Sequence, residues 1–264
     1  MFKEFARIFD YREMLKNSVR KELRVRYKAS FLGFLWTFIN PLLQLIIYAF
    51  VFNKVMRITP PPGVNYTLMV FVALVPWTCI SSTINQSTMV IISNGNLLKK
   101  IYFPRLILPL SLTVTNFINM LFTEIIVFIA ALLLGGHLTW AYLALPLSFV
   151  GIFLFSFSIS VLLSAITVYF RDLEHIINIF TMLWFYLTPI IYPIEYLNGK
   201  SANIIFIYKL NPMYGLIQSV RDIMVMWKFP EWGFLFYDMA FSIVLLLIAL
   251  AVFDKLQRRF AEEL

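Results

Sequence analysis

The chain has 264 residues, 61% of them hydrophobic and 14% charged, with a net charge of +8. A soluble domain of that length cannot surround so much apolar surface, so the composition excludes one. The basic excess lies beside apolar runs, which makes it an orientation signal and not a nucleic-acid surface.

Residues 1–30 come first in chain order and form the most patterned polar segment. Phe2, Phe5 and Phe9 recur at helical spacing, and Tyr11, Leu15, Val19 and Leu23 continue in steps of four. Arg12, Lys16, Arg20, Arg24 and Lys28 step by four on another face. This is the pattern of an amphipathic helix lying in a membrane interface, either a plain lipid anchor or a surface for a cytoplasmic partner.

Six apolar runs follow, at 31–53, 67–92, 107–134, 141–170, 176–193 and 234–253, and residues 58–98 contain no Asp, Glu, Lys or Arg. A spanning helix needs about 20 mostly apolar residues, and hydrocarbon admits only backbones that satisfy their own hydrogen bonds. The expected fold is an all-α polytopic membrane protein. It has six transmembrane helices in a single domain over 31–264, behind the interface helix of 1–30. With both ends in the cytoplasm, sixteen Lys/Arg lie inside and six outside, as the positive-inside rule requires. The first 28 residues are too charged for the apolar centre of a cleavable signal peptide.

Between the second and third runs, Ser93-Asn94-Gly95 should break the helix, and 97–102 has room for one or two helical turns carrying Lys99 and Lys100. Pro104 is expected at the first position of the third span. Arg171 and Asp172 form a tight second connection on the same side. The long outer loop, 194–233, holds Asn211-Pro212 as an expected cap and first helical residue. The helix they start, about 213–227, carries Arg221 and Asp222 and is too short and charged to span. With the apolar piece at 202–208 it forms two short re-entrant or interfacial helices, and Tyr208, Tyr214, Trp227 and Trp232 suit the headgroup level.

Catalytic and metal-binding patterns are missing. There is no Gly-x-x-x-x-Gly-Lys-Ser/Thr phosphate loop, and neither His137 nor His175 has a companion ligand nearby. Cys79 reads as a small packing residue. Glu124 is the one ionisable group deep in a run, with Asp238 about a turn into the last. An intramembrane carboxylate is a functional candidate by default. However, Asn116, Asn119, Thr113, Thr115 and Thr123 share its helix, so a hydrogen-bonded, bundle-facing role is expected and a proton-carrying one is not. Ser148, Ser156, Ser160 and Ser164 make a small-residue stripe on the fourth run, for packing within one subunit or for a dimer seam.

Arg26-Tyr27-Lys28, the stretch 32–36 (Leu-Gly-Phe-Leu-Trp) and Asn40-Pro41-Leu42 resemble the start of ABC-2-type transporter membrane subunits. Tyr102-Phe103-Pro104-Arg105, Arg171-Asp172-Leu173 and Leu210-Asn211-Pro212-Met213 continue that resemblance in order along the chain. The branch it is most similar to exports lipid-linked polysaccharides and polyol phosphates, with wall teichoic acid favoured and O-antigen next. The resemblance implies a half-transporter in a bacterial cytoplasmic membrane: two copies of this chain with two copies of a P-loop ATPase subunit. The ATP and Mg2+ would belong to that partner, none to this chain, and the cargo would be an undecaprenyl-linked polymer.

It also implies that Arg12, Lys16, Arg20, Lys99, Lys100, Tyr102, Arg105, Arg171 and Asp172 face the ATPase, and that Asn211, Pro212, Tyr214 and Arg221 cap the exit. Phe34, Phe38, Trp184 and Tyr186 are the rings expected to line the conduit, each worth about 0.5–1.5 kcal/mol by analogy with aromatic pairs. The open alternatives are an ABC-2 exporter of a drug or small lipid, a secondary flippase and a membrane-embedded transferase. The flippase would need more intramembrane charge, and the transferase a catalytic cluster.

Overall fold

The computed structural model describes residues 9–27, 35–51, 65–192 and 202–263. Phe2, Phe5, Lys28 and Phe34 lie outside them. Among the described residues the structure is helical throughout: α1 (Arg12–Tyr27), α2 (Trp36–Phe50), α3 (Tyr66–Val90), α4 (Gly95–Lys100), α5 (Ile107–Leu133) and α6 (Leu145–Thr167). α7 (Leu173–Leu187), α8 (Ala202–Leu210), α9 (Tyr214–Met224), α10 (Trp232–Leu256) and α11 (Phe260–Glu263) complete it.

Four helical stretches among the described residues are long and apolar enough to cross a membrane: Tyr66–Val90, Ile107–Leu133, Trp140–Thr167 and Trp232–Arg259. α2 and α7, in the first and fifth apolar runs, are helices of 15 residues. At 1.5 Å per residue each is about 23 Å long, short of a roughly 30 Å hydrocarbon core. The two short helices of the long loop are present as α8 and α9.

Local chemistry sets the helix ends. Asn65 caps α3, its side chain accepting from the Leu68 amide at 3.2 Å. At the other end Ser93 Oγ donates to the Met89 carbonyl and Asn94 Nδ2 to the Val90 carbonyl, both at 2.8 Å. These side chains take carbonyls that a longer helix would have used, and α4 begins at Gly95, as the Ser-Asn-Gly sequence predicts. α5 closes in a Schellman motif. The Gly136 amide reaches the Ala131 carbonyl at 2.9 Å, the Gly135 amide reaches that of Leu132 at 3.3 Å, and Gly135 holds φ +99°.

Two proline expectations need correction. Pro104 is not the first residue of the third long helix. It accepts from the Ile107 amide at 3.0 Å in a turn, and α5 starts at Ile107 with Pro109 in its first turn, where no amide partner is required. Pro212 likewise precedes α9 by two residues. Asn211 forms the turn by accepting from the Met213 amide at 3.2 Å, and the helix ends at Met224. Proline also does not bend the fifth run. Thr188, forced into extended backbone (φ −109°, ψ 130°) before Pro189, ends α7.

α3 is the centre of the bundle, contacting α2, α5, α6, α7 and α9, while α6 packs along α10. Ser148, Ser156, Ser160 and Ser164 are all buried within this one chain, which favours the subunit-packing reading of that stripe. Cys79 is buried in the central cluster. A second cluster at the other end joins Ile91, Phe103, Phe253 and Phe260, with Tyr11, Met14 and Leu15 of the α1 segment laid over it. The apolar face of α1 therefore packs on the helical bundle, and its basic face looks outward.

Candidate functional site

Three polar regions stand out, one at each end of the bundle and one at its middle. At the α1 end, Arg12, Lys16 and Arg20 are exposed, as are Lys99, Lys100, Arg171 and Asp172, and Tyr102 is 81% exposed. The loop that carries Lys99, Lys100 and Tyr102 borders a cavity of about 250 Å³. Arg105 is half-buried, its guanidinium 5.6 Å from the centre of the Phe260 ring. Arg171 Nη2 lies 3.5 Å from the Glu263 carbonyl. The end of the chain thus joins two loops that are far apart in sequence, a link the sequence reading missed. Phe260, an aromatic seven residues past the last apolar run, was its only signal.

At the α9 end, the expected interfacial helix is buried. Arg221 and Asp222 are each 1% exposed, and Tyr214 is buried, not placed at a surface. The physical reason is a set of long-range partners. Arg221 Nη2 donates to the carbonyls of Pro189 and Ile190, both at 2.8 Å, which the end of α7 leaves open. Burial raises the Asp222 carboxyl above its ordinary range, while Lys228, 3.4 Å away, opposes the shift.

Asn211 accepts from Trp184 Nε1 at 3.0 Å and donates to Thr188 Oγ1 at 2.9 Å. Asp238, wholly buried, accepts from the Leu216 amide at 3.1 Å, placing a carboxylate at the start of α9. Gly215 permits this approach: a Cβ there would sit 2.6 Å from the Phe234 backbone. Sequence reasoning placed Asp238 but not its role.

The middle region is a groove of about 240 Å³ between α2, α3 and α5. Asn40 and Gln44 come to it from α2, Thr78 and Ser82 from α3, and Asn116 and Asn119 from α5, with the Trp36 and Phe71 rings at its wall. Thr78 is the midpoint of α3, and Asn119 lies twelve residues into the 27 of α5, so the groove is at mid-length of both. Asn116 donates to Thr83 Oγ1 at 3.2 Å, whereas the buried Asn119 Oδ1 has no hydrogen-bond partner among the described residues.

Glu124 is 4% exposed, and neither carboxylate oxygen has a hydrogen-bond partner among the described residues. This corrects the expectation of a hydrogen-bonded Glu124: the hydroxyls of Thr115 and Thr123 are spent on the Ser111 and Asn119 carbonyls. A separate, larger cavity of about 1,220 Å³ lies nearer α1, lined by Asn17 and Lys21 of α1, Asn85 and Gln86 of α3, Ser111 of α5 and Asn178 of α7.

Of the four rings expected along a conduit, Phe34 lies outside the described residues. Phe38 meets Phe122 edge to face at 5.8 Å. Trp184 is wedged against Phe155 and Phe180 and tied to Asn211, and Tyr186 is 57% exposed. Phe38, Trp184 and Tyr186 do not line the groove, whose described ring walls are Trp36 and Phe71.

Membrane-length helices around a polar mid-depth groove, with exposed basic loops at one end, define a multi-pass membrane transport protein. Residues 14–225 match the ABC-2 type transporter family, and the chain belongs to it. It is 34% identical to an O-antigen export system permease protein RfbA of Myxococcus xanthus over 264 residues, all of both chains. A Klebsiella pneumoniae protein of the same description is 37% identical over 259 residues, 97% of this chain and 95% of its own. The polysialic acid transport protein KpsM of Escherichia coli is 21% identical over 242 residues, covering 88% of this chain and 89% of its own.

Proposed function

We propose that this chain is the permease subunit of an exporter that carries a lipid-linked polysaccharide of the O-antigen kind across a bacterial cytoplasmic membrane. The observation that carries this reading is end-to-end similarity to O-antigen export permeases. The relatives named above replace the sequence preference for teichoic acid. The geometry supports transport, because a polar groove at mid-length of the long apolar helices gives a hydrophilic cargo a place to meet amides and hydroxyls.

In this reading six spans cross the membrane, both ends are cytoplasmic, and two copies assemble with two copies of a P-loop ATPase holding ATP and Mg2+. The exposed face of α1, Lys99, Lys100, Tyr102, Arg171 and Asp172 form the docking surface, with Arg105 bracing it against Phe260. Asn211, Pro212, Tyr214 and Arg221 hold the outer cap.

The test is deletion and complementation. Loss of the chain should remove a surface polysaccharide and accumulate it inside, and the purified chain alone should hydrolyse no ATP. Reversing charge at Lys99 and Lys100 should cut partner ATPase activity several-fold at an unchanged membrane level. Unchanged surface polymer on deletion would overturn the reading.

A further inference from the structure

The groove between α2, α3 and α5 is unusual in its chemistry. Among the described residues that line it there is no Asp, Glu, Lys, Arg or His. Its polar groups are the amides of Asn40, Gln44, Asn116 and Asn119 and the hydroxyls of Thr78 and Ser82. Asn40, Gln44 and Thr78 are exposed, and on α2 the neighbouring Leu43, Ile46 and Ile47 are exposed apolar side chains suited to lipid. An amide facing lipid there loses its hydrogen bonds to water and gains none. A wet passage is therefore the environment these side chains fit.

The Thr78 hydroxyl donates to the Leu74 carbonyl, Asn116 to Thr83 and Asn119 to the Thr115 carbonyl, so these groups offer a ligand mainly acceptors. The Asn40 and Gln44 amides can both donate and accept, and all are without fixed charge. That set matches the hydroxyls of a sugar ring, and Trp36 and Phe71 add apolar faces beside it. The buried Asn119 Oδ1, which has no partner, is an acceptor left over for a passing donor. At about 240 Å³ the groove is below the roughly 300–1,000 Å³ of drug-sized sites, so it takes one unit of a polymer at a time.

What the groove lacks is equally specific. A phosphodiester or uronate in every repeat would shed its hydration here with no cation to meet it. Among the described residues at the groove, the ionisable groups are the Cys79 thiol in its lining and Glu124, which acts electrostatically on Cys79. Neither offers a positive charge in either protonation state. Resting on the exporter reading above, we infer that this groove passes an uncharged glycan, and that the chain's substrate is a neutral polysaccharide and not a polyanion such as a polyol phosphate.

The experiment uses the full chain in its own cells. Deleting it and analysing the surface polymer that disappears should show a neutral-sugar repeat without phosphodiester or uronic acid. A polymer charged in every repeat overturns the inference and leaves the exporter reading standing, whereas loss of no polymer overturns that reading itself. The triple variant Asn40→Leu, Gln44→Leu and Asn119→Leu should lower surface polymer at least tenfold at a normal membrane level. If the triple variant fails to insert, Gln44→Leu alone, an exposed position, should lower it about threefold, with Gln44→Asn restoring most of the loss. Full export with a normally inserted Leu variant overturns the groove as the path.

Discussion

The α9 end and the central groove use the same kinds of residue to opposite ends. Around α9, Arg221, Asp222, Asp238 and Asn211 each hold at least one partner between 2.8 and 3.4 Å. Around the groove, Glu124 has none among the described residues, and Asn119 keeps a buried acceptor open there. Open atoms occur at both places, since Asp222 Oδ2 and Asp238 Oδ1 also lack a hydrogen-bond partner among the described residues. What differs is that Arg221, Asp238 and Asn211 are tied to other elements, which fixes one packing arrangement, while Asn119 bonds only within its own helix. The difference separates a part of the molecule that must stay rigid from a part that must stay adaptable.

That contrast can be broken most forcefully at Arg221. Arg221→Ala orphans the Pro189 and Ile190 carbonyls at roughly 1–3 kcal/mol each. The detergent-solubilised chain should lose about 2–6 kcal/mol of stability in thermal unfolding, with a matching fall in membrane level. A loss under about 0.5 kcal/mol would show that α9 is held by packing alone. Gly215→Ala comes next, because its Cβ would meet the Phe234 backbone at 2.6 Å and push α9 from α10. Overpacking of this kind costs roughly 1–3 kcal/mol, read in the same melt.

Glu124→Gln should have the smallest effect. It has no hydrogen bond to lose, so stability should change by less than about 0.5 kcal/mol and export should persist. Loss of export together with loss of its dependence on a pH gradient would instead make Glu124 a proton carrier and favour a secondary transporter.

How much was legible in the sequence follows the range of the interactions. The break at Ser93-Asn94-Gly95 rests on contacts of three or four residues, and it was read correctly. Over residues 11–24 the two faces agree with the structure for the same reason, while Phe9, placed on the apolar face by its spacing, is 78% exposed. The burial of Arg221 was not, because a charged residue on a short helix signals surface until its partners are known, and those carbonyls lie 31 and 32 residues upstream. Asp238 was placed near a helix start, but the amide it meets is on a different helix, 22 residues away. The α5 wall of the groove was visible as Asn116 and Asn119. Its facing walls, Asn40 and Gln44 on α2 and Thr78 and Ser82 on α3, depend on how three helices assemble.

The fold of the chain end has a practical consequence. Phe260 is fully buried against Phe253 and Tyr169, and the Arg105 guanidinium lies on its ring. Residues 260–263 thereby act as a splint between the loops at 105 and 171. An affinity tag joined after Leu264 would follow this splint at the surface where the motor subunit is proposed to dock, so a tagged chain that fails to pair with its motor would report on the tag. The same geometry makes this end a good place for a small fluorophore: a shift of either loop during an ATP cycle would move it directly.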